Sequence, residues 1–217
     1  MSEKEPTSDV VAMEQMVAQA LGGWRGMVDS GLPTLVYVVL IAVTGRDVAK
    51  SAIAATAVAV VIAIVRLIQR RTITQVIGGL LAVGISAFIA IKTGNPEDFS
   101  LPSVWKNSAF LIALLLGIAF RHPLLGYVVG SLKGDLLGWR NEPALFKLYV
   151  RLSWLWVGVF ALRLAILTPL WQAKAVEALG IAQVALGYPV YLPAVYVTYL
   201  MTRGIASKWD AEEAPAT

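Results

Sequence analysis

The sequence predicts an all-α fold, a polytopic membrane helix bundle of about six transmembrane helices with an N-terminal amphipathic helix and a short re-entrant or interfacial helix. The first ground is the stretch Thr72 to Ile91, twenty residues without a charge. At ~1.5 Å of helical rise per residue it matches a bilayer core roughly 30 Å thick. The second is recurrence: comparable charge-poor runs occupy Ser30 to Gly45, Ser51 to Val65, Asn107 to Phe120 and Ala178 to Thr202. The third is composition, because a chain of 217 residues with 58% hydrophobic and only 15% charged residues is too apolar for one soluble core. The runs are continuous blocks of Ala, Val, Leu and Ile, not the alternating segments of a membrane β-barrel.

Residues 1–8 form a polar tail. MSEKEPTSD carries three acids and one lysine, unlike the basic start and apolar core of a cleavable signal peptide, so the N-terminus is expected to persist. Over 9–29, Val10, Met13, Val17, Leu21 and Trp24 recur at three- and four-residue spacing, which predicts an amphipathic helix lying in the membrane interface. The bundle occupies 30–203, with spans near 30–45, 48–66, 72–91, 104–120, 149–170 and 179–202. Pro33 in the first turn, and Gly45, Arg46 and Asp47 at the end, delimit a short first span. In spans two and three, Ser51, Ala55, Ala59 and Ala63, and likewise Gly78, Ala82, Ser86 and Ala90, recur every four residues. Small side chains let helices approach closely in lipid, so the two stripes are expected to meet. Residues 204–217 read as a cytoplasmic tail.

Pro123 to Trp139 opens with about ten apolar residues, half of a helical crossing. If it does not cross, twelve basic residues share one side and five lie opposite, with Arg163 inside a span; if it crosses, the split becomes seven against ten. The positive-inside rule favours the first arrangement. The expected topology is therefore a multi-pass protein of the plasma (inner) membrane, with both termini and the non-crossing segment cytoplasmic. The net charge of +4 arises at span ends rather than in a patch interleaved with aromatics, so no nucleic-acid partner is expected.

The chain has no cysteine, which removes disulfides, thiolate nucleophiles and thiolate metal sites together. Its one histidine, His122, stands between Arg121 and Pro123 with no partner at ligand or triad spacing. No phosphate-cradling glycine motif occurs in the required context. No catalytic residue, metal or cofactor is expected, and the chain reads as a non-enzyme.

Three elements stand out as candidates for function or lipid contact. In GGWRGMVDSGLP, Trp24, Arg25 and Asp29 lie where the interfacial helix is expected to turn into the first span, and Arg25 and Asp29 can pair across one turn. Arg163 follows a charge-free run and is costly in lipid. Its expected partner is an anionic lipid headgroup or an outer-loop carboxylate, Glu97, Asp98 or Glu177, with snorkelling to the interface as the alternative. In GYPVYLPAVYVTY, Pro189 and Pro193 interrupt the last span near Tyr188, Tyr191 and Tyr199, which share roughly one face. The freed carbonyls either line a cavity or are satisfied by neighbouring helices.

Leu32-Pro33, Ala55-Thr56-Ala57, Trp105-Lys106, Pro123-Leu124-Leu125 and the array Tyr149, Arg151, Leu152, Trp156 and Phe160 form a further pattern. Across Leu32 to about Phe160 the chain resembles the bacterial intracellular septation protein A family, also called the inner membrane-spanning YciB family. The Gly22 to Pro33 element looks more like an actinobacterial membrane family of unknown function, a resemblance that spans nearly the whole chain. The first resemblance implies a role in envelope integrity and cell division through protein partners, and the second a polytopic plasma-membrane protein without an established activity. This chain departs from the septation family by its N-terminal helix, by Arg163 and by an extra span after Pro169. The function expected is a non-enzymatic envelope or division-associated protein that binds membrane lipids or other membrane or division proteins. A small transporter or lipid translocase using Arg163 and the proline-broken last span is the alternative.

Overall fold

The computed structural model describes residues 23–69, 73–133, 137–140 and 142–212, with backbone alone at 23–30, 75, 129–133, 138, 188 and 203–212. The tail 1–8, residues 9–22 of the expected amphipathic helix and residues 213–217 lie outside the described residues. Among the described residues all regular structure is helical, and five helices are long and apolar enough to cross a membrane. The chain divides into two compact units, Met1–Phe99 and Ser100–Thr217.

The first unit holds α1 (Gly23–Val43), α2 (Val48–Ile68) and α3 (Ile73–Thr93), with α1 and α3 both packed on α2. α1 runs unbroken through Pro33, so the turn expected near residue 30 between an interfacial helix and the first span is absent. Helices in lipid tolerate an interior proline because nearby groups take up the freed carbonyl. The apolar part of α1, Gly31–Val43, is the short one: it covers about 20 Å at ~1.5 Å per residue. α1 ends at Val43, the chain turns at Gly45, whose φ of 68° glycine adopts without strain, and Asp47 then caps α2 by accepting the Lys50 N–H at 3.0 Å.

α2 turns its small residues inward. Ser51, Ala52, Ala55, Ala59 and Ala63 are buried, whereas Ile53, Val61, Ile64 and Ile68 are exposed, the reverse of a helix in a water-soluble protein. Such a surface suits lipid, where close backbone approach rather than hydrophobic exclusion holds helices together. On α3 the expected stripe holds only in part: Ser86 and Ala90 are buried together with Val76 and Ala87, but Gly78 and Ala82 are exposed. A four-residue step advances about 40° around a helix of 3.6 residues per turn, so such a stripe winds away from a single neighbour. α2 has neighbours α1 and α3 and can bury the drifting stripe; among the described helices of this unit α3 packs mainly on α2.

Buried Tyr37 of α1 anchors the short 3-10 helix Pro96–Ser100, donating its hydroxyl to the Pro96 carbonyl at 2.9 Å and stacking on Phe99 with ring centroids 3.9 Å apart.

The second unit holds α4 (Leu101–Ala119), α5 (Leu124–Lys133), α6 (Pro143–Gln172), α7 (Val176–Ala185) and α8 (Tyr188–Glu212). α6 touches the other four. With ten residues, α5 reaches only ~15 Å and cannot cross a core of roughly 30 Å. It is held instead against the start of α6 by Trp139, which meets Tyr127 and Tyr149 edge to face at 5.4 and 5.6 Å. Gly126 permits this contact, because a Cβ there would lie 2.8 Å from the indole. α6 begins at Pro143, ahead of the expected 149, because Leu145 and Leu148 are buried in the same aromatic cluster. The expected last span is two helices, α7 and α8, separated at Leu186 and Gly187.

Candidate functional site

The break in the last span follows from Pro189. Without an N–H, Pro189 cannot donate to the Ala185 carbonyl, as position i+4 of a continuous helix would. The N–H groups of Val190 and Tyr191 both donate to Gly187, at 3.1 and 3.0 Å. The Leu186 carbonyl therefore loses the Val190 donor of an uninterrupted helix. Arg163 takes its place, with Nη1 donating to that carbonyl. The Arg163 guanidinium also lies over the Tyr191 ring, with Cζ 5.0 Å from the centroid, a cation–π contact.

Arg163 is only 5% exposed, so it does not snorkel freely to an interface. It lies between two apolar clusters. Leu114, Val157 and Phe160, with Leu111, Trp156 and Tyr191, are on one side; Val104, Leu167 and Leu179, with Leu164 and Leu186, are on the other. These pairings make α4 and α6 antiparallel. Asn107 stands one turn from both Val104 and Leu111 on α4, as Arg163 stands one turn from both Phe160 and Leu167 on α6, so the two share a layer.

Polar atoms in this layer lack partners. Asn107 is 0% exposed, yet neither its Oδ1 nor its Nδ2 has a hydrogen bond, and the same holds for Arg163 Nε and for Gln183 Nε2, one turn before Leu186. Lys106, next to Asn107 on α4, is exposed. Among the described residues of the second unit no carboxylate forms an ion pair with Arg163 or Lys106. The contacts Arg163 makes are with a carbonyl released by the helix break and with an aromatic face.

Of the residues singled out from sequence, Arg163, Pro189 and Tyr191 come together here. The side chains of Trp24, Arg25, Asp29 and Tyr188 lie outside the described residues, although all four positions are helical. Asn107, Lys106 and Gln183 were not legible as members, because nothing in one helix specifies which residue of another helix stands opposite. His122 is engaged locally, its Nδ1 3.2 Å from the Tyr127 hydroxyl. Among the described residues no group of three or more His, Asp or Glu stands ready for a metal ion. The layer offers N–H donors, the charge of Arg163 and one free amide oxygen, with Lys106 exposed next to Asn107, a set suited to holding an anion.

Residues 21–208 match the family model described as a protein of unknown function, DUF3159. No curated protein and no solved structure matches the chain.

Proposed function

The chain belongs to that family of unknown function, and we propose from its own site that it is a plasma-membrane protein that acts by binding rather than by catalysis, supporting the cell envelope or division by holding membrane lipids or other membrane proteins. What carries this reading is the Arg163 layer, where buried polar atoms without partners lie between apolar clusters. The resemblance of Trp105-Lys106 and of the Tyr149 to Phe160 array to the septation protein A family supports the envelope setting, and the proposal extends to an actinobacterial lineage. Lipids and proteins copurifying with the full chain from its native membrane test it. Enrichment of an anionic lipid or a defined set of membrane proteins over a control membrane protein is expected; bulk lipid composition with no recurrent partner contradicts the reading.

The proposal includes cytoplasmic termini. In this cysteine-free chain, single cysteines placed at 95 and 174 should react with an impermeant thiol reagent in intact cells, and one at 133 should not. Labelling at 133 overturns the topology. A second reading, a small transporter or lipid translocase, draws on the break at Leu186 and Gly187, since discontinuous helices present backbone groups to substrates in transporters. Accelerated flipping of fluorescent phospholipids in proteoliposomes would favour it over static binding.

A further inference from the structure

We propose that Lys106, Asn107, Arg163 and Gln183 form a binding site for the phosphodiester of an anionic phospholipid whose headgroup also carries a hydroxyl. The inference deepens the binding function proposed above and rests on it. Folded proteins rarely leave a buried amide with both atoms unpaired, yet Asn107 is fully buried in that state, in the same layer as an arginine whose Nε is also unpaired. Phosphate oxygens would accept from Arg163 Nε, Asn107 Nδ2 and Gln183 Nε2, and charge-assisted bonds from a guanidinium to phosphate are among the strong ones. The single negative charge of a phosphodiester would meet the buried Arg163 guanidinium, with the ammonium of Lys106 exposed one residue from Asn107.

Asn107 Oδ1 narrows the ligand. A phosphodiester has no donor for it, whereas a headgroup hydroxyl does. A lipid is the favoured source of the phosphate because Lys106 is exposed beside Trp105, a large aromatic that is 59% exposed on the same turn of α4. From that surface a headgroup would enter while its acyl chains stay outside, with the indole beside them.

The test uses the full-length protein, delipidated in detergent, with retention of added lipid read by native mass spectrometry and by melting temperature. Phosphatidylglycerol should be retained and should raise the melting temperature. Phosphatidylcholine should do neither. Phosphatidylethanol, equally charged but lacking the hydroxyl, should bind more weakly. Inorganic phosphate should neither stabilise nor compete at millimolar concentration; if it does both, the ligand is a free phosphate and the lipid assignment falls. Arg163→Gln and Asn107→Leu should each weaken phosphatidylglycerol binding roughly ten- to hundredfold, as expected for losing a hydrogen bond with a charged group. Arg163→Lys should keep part of the affinity, and Lys147→Gln, outside the layer, should keep all of it. Asn107→Leu should also abolish the preference for phosphatidylglycerol over phosphatidylethanol, which a purely structural role would not alter. Should Arg163→Gln fail to fold, Lys106→Gln and Asn107→Leu decide. Unchanged phosphatidylglycerol binding in both overturns the site while leaving lipid binding elsewhere intact; copurification of neither lipid nor protein overturns the broader function instead.

Discussion

The two units treat buried polar atoms differently. In the first, Ser51 Oγ donates to the Asp47 carbonyl at 2.8 Å, Thr56 Oγ1 to Ala52 at 2.8 Å and Tyr37 to Pro96 at 2.9 Å. In the second, Asn107, Ser153, Arg163 and Gln183 hold the buried side-chain atoms without partners among the described residues. The first unit is a small-residue packing device whose polar groups are closed on themselves. The second is built around a helix break and leaves polar valence for something else. Sequence composition does not distinguish them, since both consist of predominantly apolar helices.

The largest expected effect lies in the second unit. Leu167, 0% exposed in the apolar cluster beside Arg163, should lose about 2 to 5 kcal/mol of stability on Leu167→Ala, measured by reversible denaturant unfolding in micelles. A loss near zero would mean that the cluster is loose and that Arg163 is not enclosed by it.

A second pair of variants sharpens the packing half. Ala59→Leu and Ala87→Leu, both at buried positions, should each cost roughly 1 to 3 kcal/mol by overpacking. Ala82→Leu, at an exposed position, should leave the melting temperature within error of wild type. Equal losses at 59 and 82 would restore the four-residue stripe on α3 that the structure divides.

Healing the break is a subtler intervention. Pro189→Ala restores an N–H for the Ala185 carbonyl and should favour a continuous helix, drawing the Leu186 carbonyl away from Arg163. The distance between spin labels at 179 and 199 should change measurably; an unchanged distance would assign the break to Gly187 and its surroundings instead of to proline.

The smallest effect concerns the Asp47 cap. The Lys50 N–H, aided by the Lys50 ammonium at 2.9 Å, holds this exposed carboxyl below its usual range. A depressed carboxylate stabilises the fold above its unfolded-state pKa, and that contribution is lost as pH falls through the folded-state value. Asp47→Asn should therefore flatten slightly the fall in melting temperature on acidification, and a steeper fall would contradict the cap.

Much of the fold was legible because the bilayer imposes it: charge-free runs marked the long helices, and the ten-residue apolar run after Pro123 matched the length of α5. The α2 stripe was legible because alanines at four-residue spacing have few other uses in a helix flanked by Ile and Val. Arg163 stood out by its cost. Its partner did not, because a backbone carbonyl has no signature in sequence, and Leu186 becomes an acceptor only once Pro189 has broken the ladder. Asn107 looked like the edge of a span; its place opposite Arg163 depends on the antiparallel register of α4 and α6, which side-chain packing sets.

The contrast between the units is tested most directly by melting the delipidated protein carrying Asn107→Leu or Ser51→Ala. Replacing a buried, unsatisfied amide by an apolar group of similar volume relieves a cost of about 1 to 3 kcal/mol, so Asn107→Leu should melt higher than wild type. Ser51→Ala removes the 2.8 Å bond from Ser51 Oγ to the Asp47 carbonyl and should melt lower. If Asn107→Leu also melts lower, the amide is satisfied in the empty protein, and the second unit is a packed bundle like the first.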